Sequence, residues 1–342
     1  MRGTSLATLV GAHMRKWGSA SVEVAVFGTA DPDQIAGQLE VFCEEHLGSE
    51  VDGALFYAAS TGCTAGLLLG DGRRVVAKAY QARWRSAFLG SVRRVQEHLH
   101  GAGFPCPLPL AGPHPVGAAF AMAEELVPDP GMRTLGSARE MAASAAGLAR
   151  QIELCRAQAG SSLAPHPLDA STDGLYPEPH NPLFDFSRGR ENAGWIDELA
   201  AVAKAVRDAD SSPRTIAHTD WSARNVRIDD TGVVVAYDWD SLALVTESVA
   251  VGQAAATWRS TGEADDPVAP DPEEVRSYLR GYEAAAGSSF SSGQVKAAMA
   301  AALWVLAYTA RCEHALEAVS GRRVERARGC LRREGQSYMT HI

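Results

Sequence analysis

"HTDWSARNVRIDDTGVVVAYDWD", His218 to Asp240, is the stretch on which the reading of this chain turns. His218, Asp220 and Asn225 stand close together, and an apolar run, "VVVAY" at residues 233–237, then leads into Asp238. Taken singly, these are ordinary turn residues. As an ordered set they have a chemistry. Phosphoryl transfer asks for metal ions on the phosphates and an oriented nucleophile, and for little covalent work from the protein. Mg2+ takes oxygen ligands, typically one or two carboxylates or amides plus phosphate and water. Asn225 and Asp238 offer such ligands, the short strand carrying Asp238 back beside the loop that holds Asn225. Asp220, on the same loop, is suited to accept a proton from a substrate hydroxyl. His218 is expected to brace the loop by a backbone hydrogen bond without touching substrate. Trp221 and Trp239 read as packing for the loop.

The rest of the chain sets the frame. Its 342 residues are long for one ordinary core, and two lobes is the natural division. With 46% hydrophobic and 21% charged residues, the composition is that of a globular protein. A net charge of −9 argues against nucleic acid as a partner. The six cysteines fall in no CxxC pair, which suggests neither a zinc site nor a disulfide framework and fits a reducing cytoplasm. The start of the chain has no sustained apolar core of the signal-peptide kind. The most apolar run, Ala297 to Ala310, reads as a buried helix and not as a bilayer span. No membrane association is expected.

Along the chain, Asp31 followed by Pro32 predicts a helix start, with Ile35, Leu39 and Phe42 on one face and an end near Gly48. A β-rich stretch follows: "GALFYAAS", a loop, "LLLG", a turn at Asp71-Gly72 and "RRVVAKAY". Phe88, Val92, Val95 and Leu99 predict a helix, and "VGAAFAMAEELVP" is a further apolar run. Beyond Pro130 the pattern turns helical. Ser137 and Glu140 form a capping-box pattern, residues 159–190 read as a long surface connection, and "RTIAH" and "GVVVAYD" read as two strands flanking the motif. Asp271-Pro272 starts one late helix, and another spans about residues 294–319. The first third is thus mostly strands and the rest mostly helices, divided near residues 126–130: an N-terminal lobe of 1–127 and a C-terminal lobe of 128–342. A ligand cleft between unequal lobes is the expectation.

"HTDWSARN" followed by "VVAYDWD" resembles the HxDxxxxN and (I/V)D(W/F) motifs of the aminoglycoside phosphotransferase and choline kinase-like family of small-molecule kinases. The resemblance extends more loosely over residues 50–310. It implies an α+β, protein-kinase-like two-lobe fold, with a small β-rich N-lobe and a larger, mostly helical C-lobe. It also implies ATP and Mg2+ as cofactors and a small-molecule hydroxyl as acceptor. Asp220 corresponds to the catalytic base, and Asn225 and Asp238 to the Mg2+ ligands. "VVAKAY" matches the strand whose lysine pairs with the phosphates, which points to Lys78. "STGCTAG", with Ser60, Thr61 and Gly62, lies where the nucleotide-covering loop belongs, its small residues admitting phosphate to backbone N–H groups. "AMAEELVP" lies at the interlobe hinge, so that backbone near Glu124–Leu126 would meet adenine. Arg224 reads equally as a γ-phosphate contact or a salt-bridging residue, and Asp240 as a second-metal contact or a salt bridge.

Two departures from the family pattern stand out. The helix that normally gives the lysine its glutamate offers Gln96, which could reach Lys78 without charge, and Glu97, which points away from the apolar stripe. Ala250 stands where an aspartate normally braces the catalytic loop, leaving Glu247 or backbone for that task. The acceptor is an open choice among an antibiotic, a primary metabolite such as a sugar or amino alcohol, and, in another class altogether, none at all in a nucleotide-binding regulator. A polycationic aminoglycoside would call for clustered carboxylates, for which Asp173, Asp185, Asp197, Glu198 and Glu313 are candidates. His98 and His100 read as solvated helix-end residues, and the arginines from Arg322 to Arg333 as a solvated basic tail helix.

Overall fold

The computed structural model describes residues 4–131, 136–156, 163–167, 174–179, 184–187, 190–262, 269–321 and 323–342. The chain forms two compact units. The first comprises Met1–Gly101 and Pro107–Pro128; the second comprises Ala102–Cys106 and the described residues from Asp129 on.

The first unit is built on an antiparallel sheet ordered β1-β2-β3-β5-β4. Its strands are β1 (Val51–Ala59), β2 (Cys63–Leu69), β3 (Arg74–Ala79), β4 (Pro109–Val116) and β5 (Ala119–Glu125). Alternation divides β3 cleanly: Val75, Ala77 and Ala79 are buried, whereas Val76 and Lys78 lie on the other face. The buried face joins one apolar core with three helices, α1 (Leu6–Trp17), α2 (Ser21–Phe27) and α3 (Pro32–Leu47). α3 starts as its sequence directs, with the Asp31 side chain accepting from Asp33 N and proline in the first turn. α1 and α2 are additions to the expected pattern. The signal for α1 was Ser5 followed by Leu6 and Val10, and Ser5 does cap the helix. β4 carries three prolines; it is tolerated because it is an edge strand, where a missing donor leaves no ladder bond unmade. α4 (Ser86–Gly101) buries Phe88, Val92, Val95 and Leu99, and also Gln96.

The second unit contains α5 (Ala138–Cys155), α6 (Gly194–Asp208), α7 (Glu247–Thr257), α8 (Pro272–Ala286), α9 (Ser292–Ser320) and α10 (Ala327–Met339). Capping boxes at Ser137/Glu140 and Asp271/Glu274 are both formed. Two antiparallel pairs replace the single strand pair expected here: β6 (Arg214–His218) with β9 (Leu242–Thr246), and β7 (Val226–Asp229) with β8 (Gly232–Ala236). "RTIAH" and "GVVVAYD" are therefore not partners. Each pairs with a strand of its own, and the β7–β8 hairpin is nested inside the β6–β9 pair.

α9 is long and apolar enough to cross a membrane, yet two-thirds of that stretch is buried inside the protein, and Ala297 to Leu303 are almost wholly inaccessible. Its apolarity serves helix packing. α7 lies so close to it that a Cβ on Gly252 would fall 2.0 Å from the carbonyl oxygen of Ala298. Only glycine permits that approach. The basic tail is not a uniformly solvated face, as expected from composition. Arg328 is 3% exposed, paired with Glu317 and, at 2.9 Å, with Glu325, because α10 packs along α9. All six cysteines are buried free thiols.

Candidate active site

The motif folds as a loop held at both ends. β6 brings His218 in, fully buried, with its backbone N–H donating to Gln151 Oε1 of α5 at 3.2 Å. His218 Nε2 lies 2.8 Å from the carbonyl oxygen of Tyr237, which can only accept, so that nitrogen carries the proton. The imidazole thus ties the start of the loop to the residue before Asp238. Next in chain, Thr219 donates both its N–H (3.1 Å) and its hydroxyl (2.7 Å) to the carbonyl of Ser241.

Asp220 follows, and its geometry is set by Asn225. Asn225 Nδ2 donates to the Asp220 carbonyl (3.0 Å) and to Asp220 Oδ2 (2.8 Å). Both partners are acceptors, so the amide orientation is fixed by chemistry: a flipped amide would set oxygen against oxygen. Asn225 Oδ1 is left for other work. The Tyr237 N–H donates to the Asn225 carbonyl at 2.8 Å, extending the β7–β8 ladder by one pair and drawing Asp238 to the same end of the hairpin.

Asp238 has φ 64° and ψ 51°, the left-handed conformation that few non-glycine residues adopt and that gathers at functional sites. Its carbonyl is held by Ser241, whose hydroxyl donates at 2.9 Å and whose N–H approaches at 3.3 Å. A single 3-10 turn, Trp239–Ser241, closes the stretch and contains Asp240.

Trp221 and Trp239 are buried beneath the loop, edge-on to the His218 ring. Trp221 Nε1 donates to the Ser144 carbonyl of α5 at 3.1 Å. Glu247 does not brace the loop: its carboxylate accepts from Arg156 at 3.0 Å and from the Tyr282 hydroxyl at 2.8 Å. Ala250 is buried within α7, and the bracing falls to Ser241, Gln151 and Ser144. Arg227, which the sequence reading passed over, clamps the loop from below. Its Nη1 donates to the carbonyls of Ala223 (2.6 Å) and Arg224 (3.0 Å), while Nε and Nη2 grip Asp129 at 3.0 and 2.8 Å. Arg224 itself is exposed, with its N–H bonded to the Ser260 carbonyl and its guanidinium lying over Gly262.

In the first unit, Lys78 Nζ is 2.9 Å from Glu124 Oε1, and both side chains are about nine-tenths buried. Gln96, expected as a partner for Lys78, meets the same carboxylate. Its Nε2 donates to Glu124 Oε2 at 3.0 Å and to the Pro107 carbonyl at 2.9 Å, so it supports the carboxylate that pairs with the lysine. The carboxylate comes from the neighbouring strand because Val76 pairs with Glu124 and Lys78 with Met122, placing Lys78 and Glu124 diagonally on one face. Glu124–Leu126, the backbone expected to meet adenine, makes two bonds within this unit. The Leu126 N–H is already bonded to the Arg74 carbonyl (3.1 Å) and that of Glu125 to Leu108 (2.9 Å).

Ser60, Thr61 and Gly62 form the tight link between β1 and β2, with the Ser60 N–H donating to the Gly62 carbonyl at 2.9 Å and Gln81 holding the Thr61 carbonyl. A Cβ on Gly62 would meet the Ala79 carbonyl at 2.6 Å, so glycine lets the loop lie flat against the end of β3.

The donor set suits a hard cation. Asn225 Oδ1 and the Asp238 carboxylate are oxygen donors borne on neighbouring backbone positions, and two such donors are what Mg2+ usually takes from protein when phosphates and water complete its shell. Among the described residues no three His, Cys, Asp or Glu side chains gather as a self-sufficient metal site.

The profile of the APH family, described as "Phosphotransferase enzyme family", matches residues 66–288, well over half of the chain. The chain belongs to this family. It is a small-molecule kinase in type, and its mixed architecture, a small antiparallel sheet unit and a helical unit, is the family's kinase-like fold. An amicoumacin kinase in complex with AMP-PNP and Ca2+ superposes with a TM-score of 0.58 at 9% identity, over 84% of this chain and 88% of that one. A thermostable mutant of the aminoglycoside phosphotransferase APH(4)-Ia gives 0.51 at 15% identity, over 86% and 98%. A spectinomycin phosphotransferase in complex with ADP and spectinomycin gives 0.50 at 13%, over 89% and 92%. At such identities these likenesses speak for the fold. No curated protein sequence matches the chain.

Proposed function

We propose that this phosphotransferase moves the γ-phosphate of ATP, with Mg2+, to a hydroxyl of a small molecule. The observation that carries the reading is the Asp220–Asn225 pair. One amide holds the candidate base by two hydrogen bonds and keeps its own oxygen free, beside an aspartate locked in the left-handed conformation. Asp220 would orient the acceptor hydroxyl and take its proton, since Oδ1 of its carboxylate is not the atom engaged by Asn225. Asn225 Oδ1 and Asp238 would hold the metal, which when bound neutralises charge on the phosphate oxygens.

Lys78, kept in place by Glu124 and Gln96, would contact the phosphates, with Ser60, Thr61 and Gly62 as the covering loop and Leu126 at the adenine end. Arg224, exposed beside the loop, is assigned to the γ-phosphate. His218 acts through position alone. An antibiotic-type acceptor is placed ahead of a primary metabolite on family membership alone.

The test is mass-spectrometric detection of phosphate addition to a panel of hydroxylated antibiotics, amino sugars and amino alcohols, with Asp220→Asn in parallel. Asp220→Asn should keep nucleotide affinity and lose turnover by orders of magnitude. Near-normal turnover would remove Asp220 from the chemistry.

A further inference from the structure

β1 is the edge of the sheet, so the outward side of its backbone has no ladder partner. The N-terminal segment covers that side at two points. The Ala54 N–H donates to the Thr4 carbonyl at 2.9 Å, and the Ala59 N–H donates to His13 Nε2 of α1 at 3.2 Å. A register shift between Ala54 and Phe56 lets two outward N–H groups stand an odd number of residues apart. Leu6, Val10 and His13 follow one another at helical spacing, and the first two are buried in the core of the first unit, so α1 turns His13 towards the sheet. The ring stands edge-on to Tyr57, with centroids 5.4 Å apart. Both partners of the bond precede residue 66, where the match to the family profile begins.

Ala59 is the residue before the Ser60–Gly62 link. On the β3 side that link rests on Gln81, which holds the Thr61 carbonyl at 2.6 Å, and on the Ala79 carbonyl, against which Gly62 lies. At its root it is gripped by His13. Because Nε2 accepts, it carries no proton, and the neutral ring bears its proton on Nδ1. A proton on Nε2 would set N–H against N–H and break the bond. Burial pushes the His13 imidazole below the usual histidine value; Glu23 of α2 opposes this, Lys16 of α1 adds to it, and the Ala59 backbone opposes it least. Glu23 also accepts from the Tyr57 hydroxyl at 3.5 Å. Burial pushes the Tyr57 phenol and the Cys63 thiol up, so both stay neutral. The bond is therefore complete above the ordinary histidine value, about 6.5, and is lost as pH falls through the lower value of the folded state.

We propose that His13 is a positioning residue for the nucleotide, anchoring the root of the Ser60–Gly62 loop when neutral and releasing it when protonated. The proposal rests on the reading of Ser60–Gly62 as the loop that covers the phosphates. A loop whose root is fixed has less ordering left to do when phosphate arrives, and binds more tightly for that reason. A loop whose root is free must be ordered by the nucleotide itself. Acid thus weakens nucleotide binding through a residue that lies outside the catalytic loop.

The experiment is calorimetry of a non-hydrolysable ATP analogue with Mg2+ on the whole chain, as wild type, His13→Gln and His13→Phe, from about pH 8 to about pH 5. Glutamine keeps an acceptor that does not titrate; phenylalanine keeps a ring against Tyr57 without an acceptor. At the upper end wild type and His13→Gln should bind alike, with His13→Phe about tenfold weaker, the worth of one hydrogen bond. At the lower end the wild type should fall to the level of His13→Phe, while His13→Gln keeps its lead. Comparison at equal pH cancels titration of the nucleotide and of the other histidines, and thermal melts confine it to folded protein. Should His13→Phe not fold, wild type against His13→Gln carries the test. Gly62→Val, which drives a Cβ into the Ala79 carbonyl, probes the loop separately. Binding weakened by Gly62→Val, with His13→Phe equal to wild type at every pH, would overturn the inference and leave the loop reading standing. No effect of either variant would remove both. Wild type and His13→Gln still alike at the acid end would overturn the release. The expected pattern without phosphate transfer to any acceptor would support the role of His13 and count against the phosphotransferase reading.

Discussion

Removing the carboxylate of Glu124 tests how the first unit holds its lysine. Lys78 Nζ and Glu124 Oε1 are 2.9 Å apart, with side chains 12% and 10% exposed. Breaking a buried pair by deleting one partner costs about 3–5 kcal/mol. The residual exposure puts this pair at the lower end, about 3 kcal/mol. Glu124→Ala also takes one of two acceptors from Gln96, roughly 1 kcal/mol more. Glu124→Gln should cost about 2 kcal/mol, since an amide oxygen can still accept from Lys78. Its NH2 would then face Gln96 Nε2, and Gln96 cannot turn without giving up Pro107. Nucleotide affinity should fall by about 10–100-fold, the worth of one misplaced charge-assisted hydrogen bond.

Urea unfolding and nucleotide titration read the two effects. Gln96→Glu, which restores the family's usual residue, should not help: it sets a second carboxylate 3.0 Å from Glu124 and against a carbonyl. One of the two acids would then bind its proton more tightly folded than unfolded. The variant would therefore be closest to wild-type stability below the unfolded glutamate value, about 4.3, and would lose stability as pH rises through it. Glu124→Ala with unfolding midpoint and nucleotide affinity both at wild-type values would refute the reasoning.

Three other expectations follow from the same geometry. Asn225→Asp keeps an oxygen for a cation but turns a carboxylate on Asp220 Oδ2, which Nδ2 now meets at 2.8 Å; turnover should fall by about 100-fold or more, and a melt at neutral pH should shift downward, since this buried position also loses both amide bonds to Asp220. Gly252→Ala drives a Cβ into the Ala298 carbonyl of α9, and calorimetry should show a loss of about 3 kcal/mol or failure to fold; an unchanged transition would mean the helices can part freely. Burial pushes the Cys43, Cys63 and Cys312 thiols up to about 12 and those of Cys155 and Cys330 up to about 11. A native-state thiol titration near pH 8 should therefore find almost nothing, and full reaction only on unfolding. Since these thiols bind protons more tightly when folded, stability should decline as pH rises through the unfolded thiol value and on towards the folded values.

Features written in a few adjacent residues were legible in the sequence. The helix starts at Asp31-Pro32, Ser137 and Asp271 rest on side chains that bond their own backbone two or three residues on. The loop from His218 to Asp240 was legible for a related reason, because order and spacing alone put its polar groups within reach of one another. What stayed hidden depended on register or on distant partners. Glu124 could be matched to Lys78 only once Val76 was known to face it across the sheet. β4 was obscured by its prolines, and β9 by the expectation that the two strands flanking the motif would pair with each other. Arg328 looked like one more solvated arginine until α10 was laid along α9, where its local neighbour Glu325 is joined by Glu317 from the other helix.

The nesting of β7–β8 within β6–β9 bears on how the gene can be edited. The Asp229–Gly232 turn is the far tip of the inner hairpin, its conformation set locally by Asp229 accepting from the Thr231 N–H and hydroxyl. Everything that fixes Asp220, Asn225 and Asp238 lies at the opposite, closed end, where Tyr237 meets Asn225 and Ser241 meets Thr219. Extra residues spliced between Asp230 and Gly232 would lengthen the tip without altering the spacing at the base. An epitope, a reporter or a new pair of chain ends placed there should leave an enzyme that still assembles its loop, whereas one residue added between Asn225 and Val226 should not.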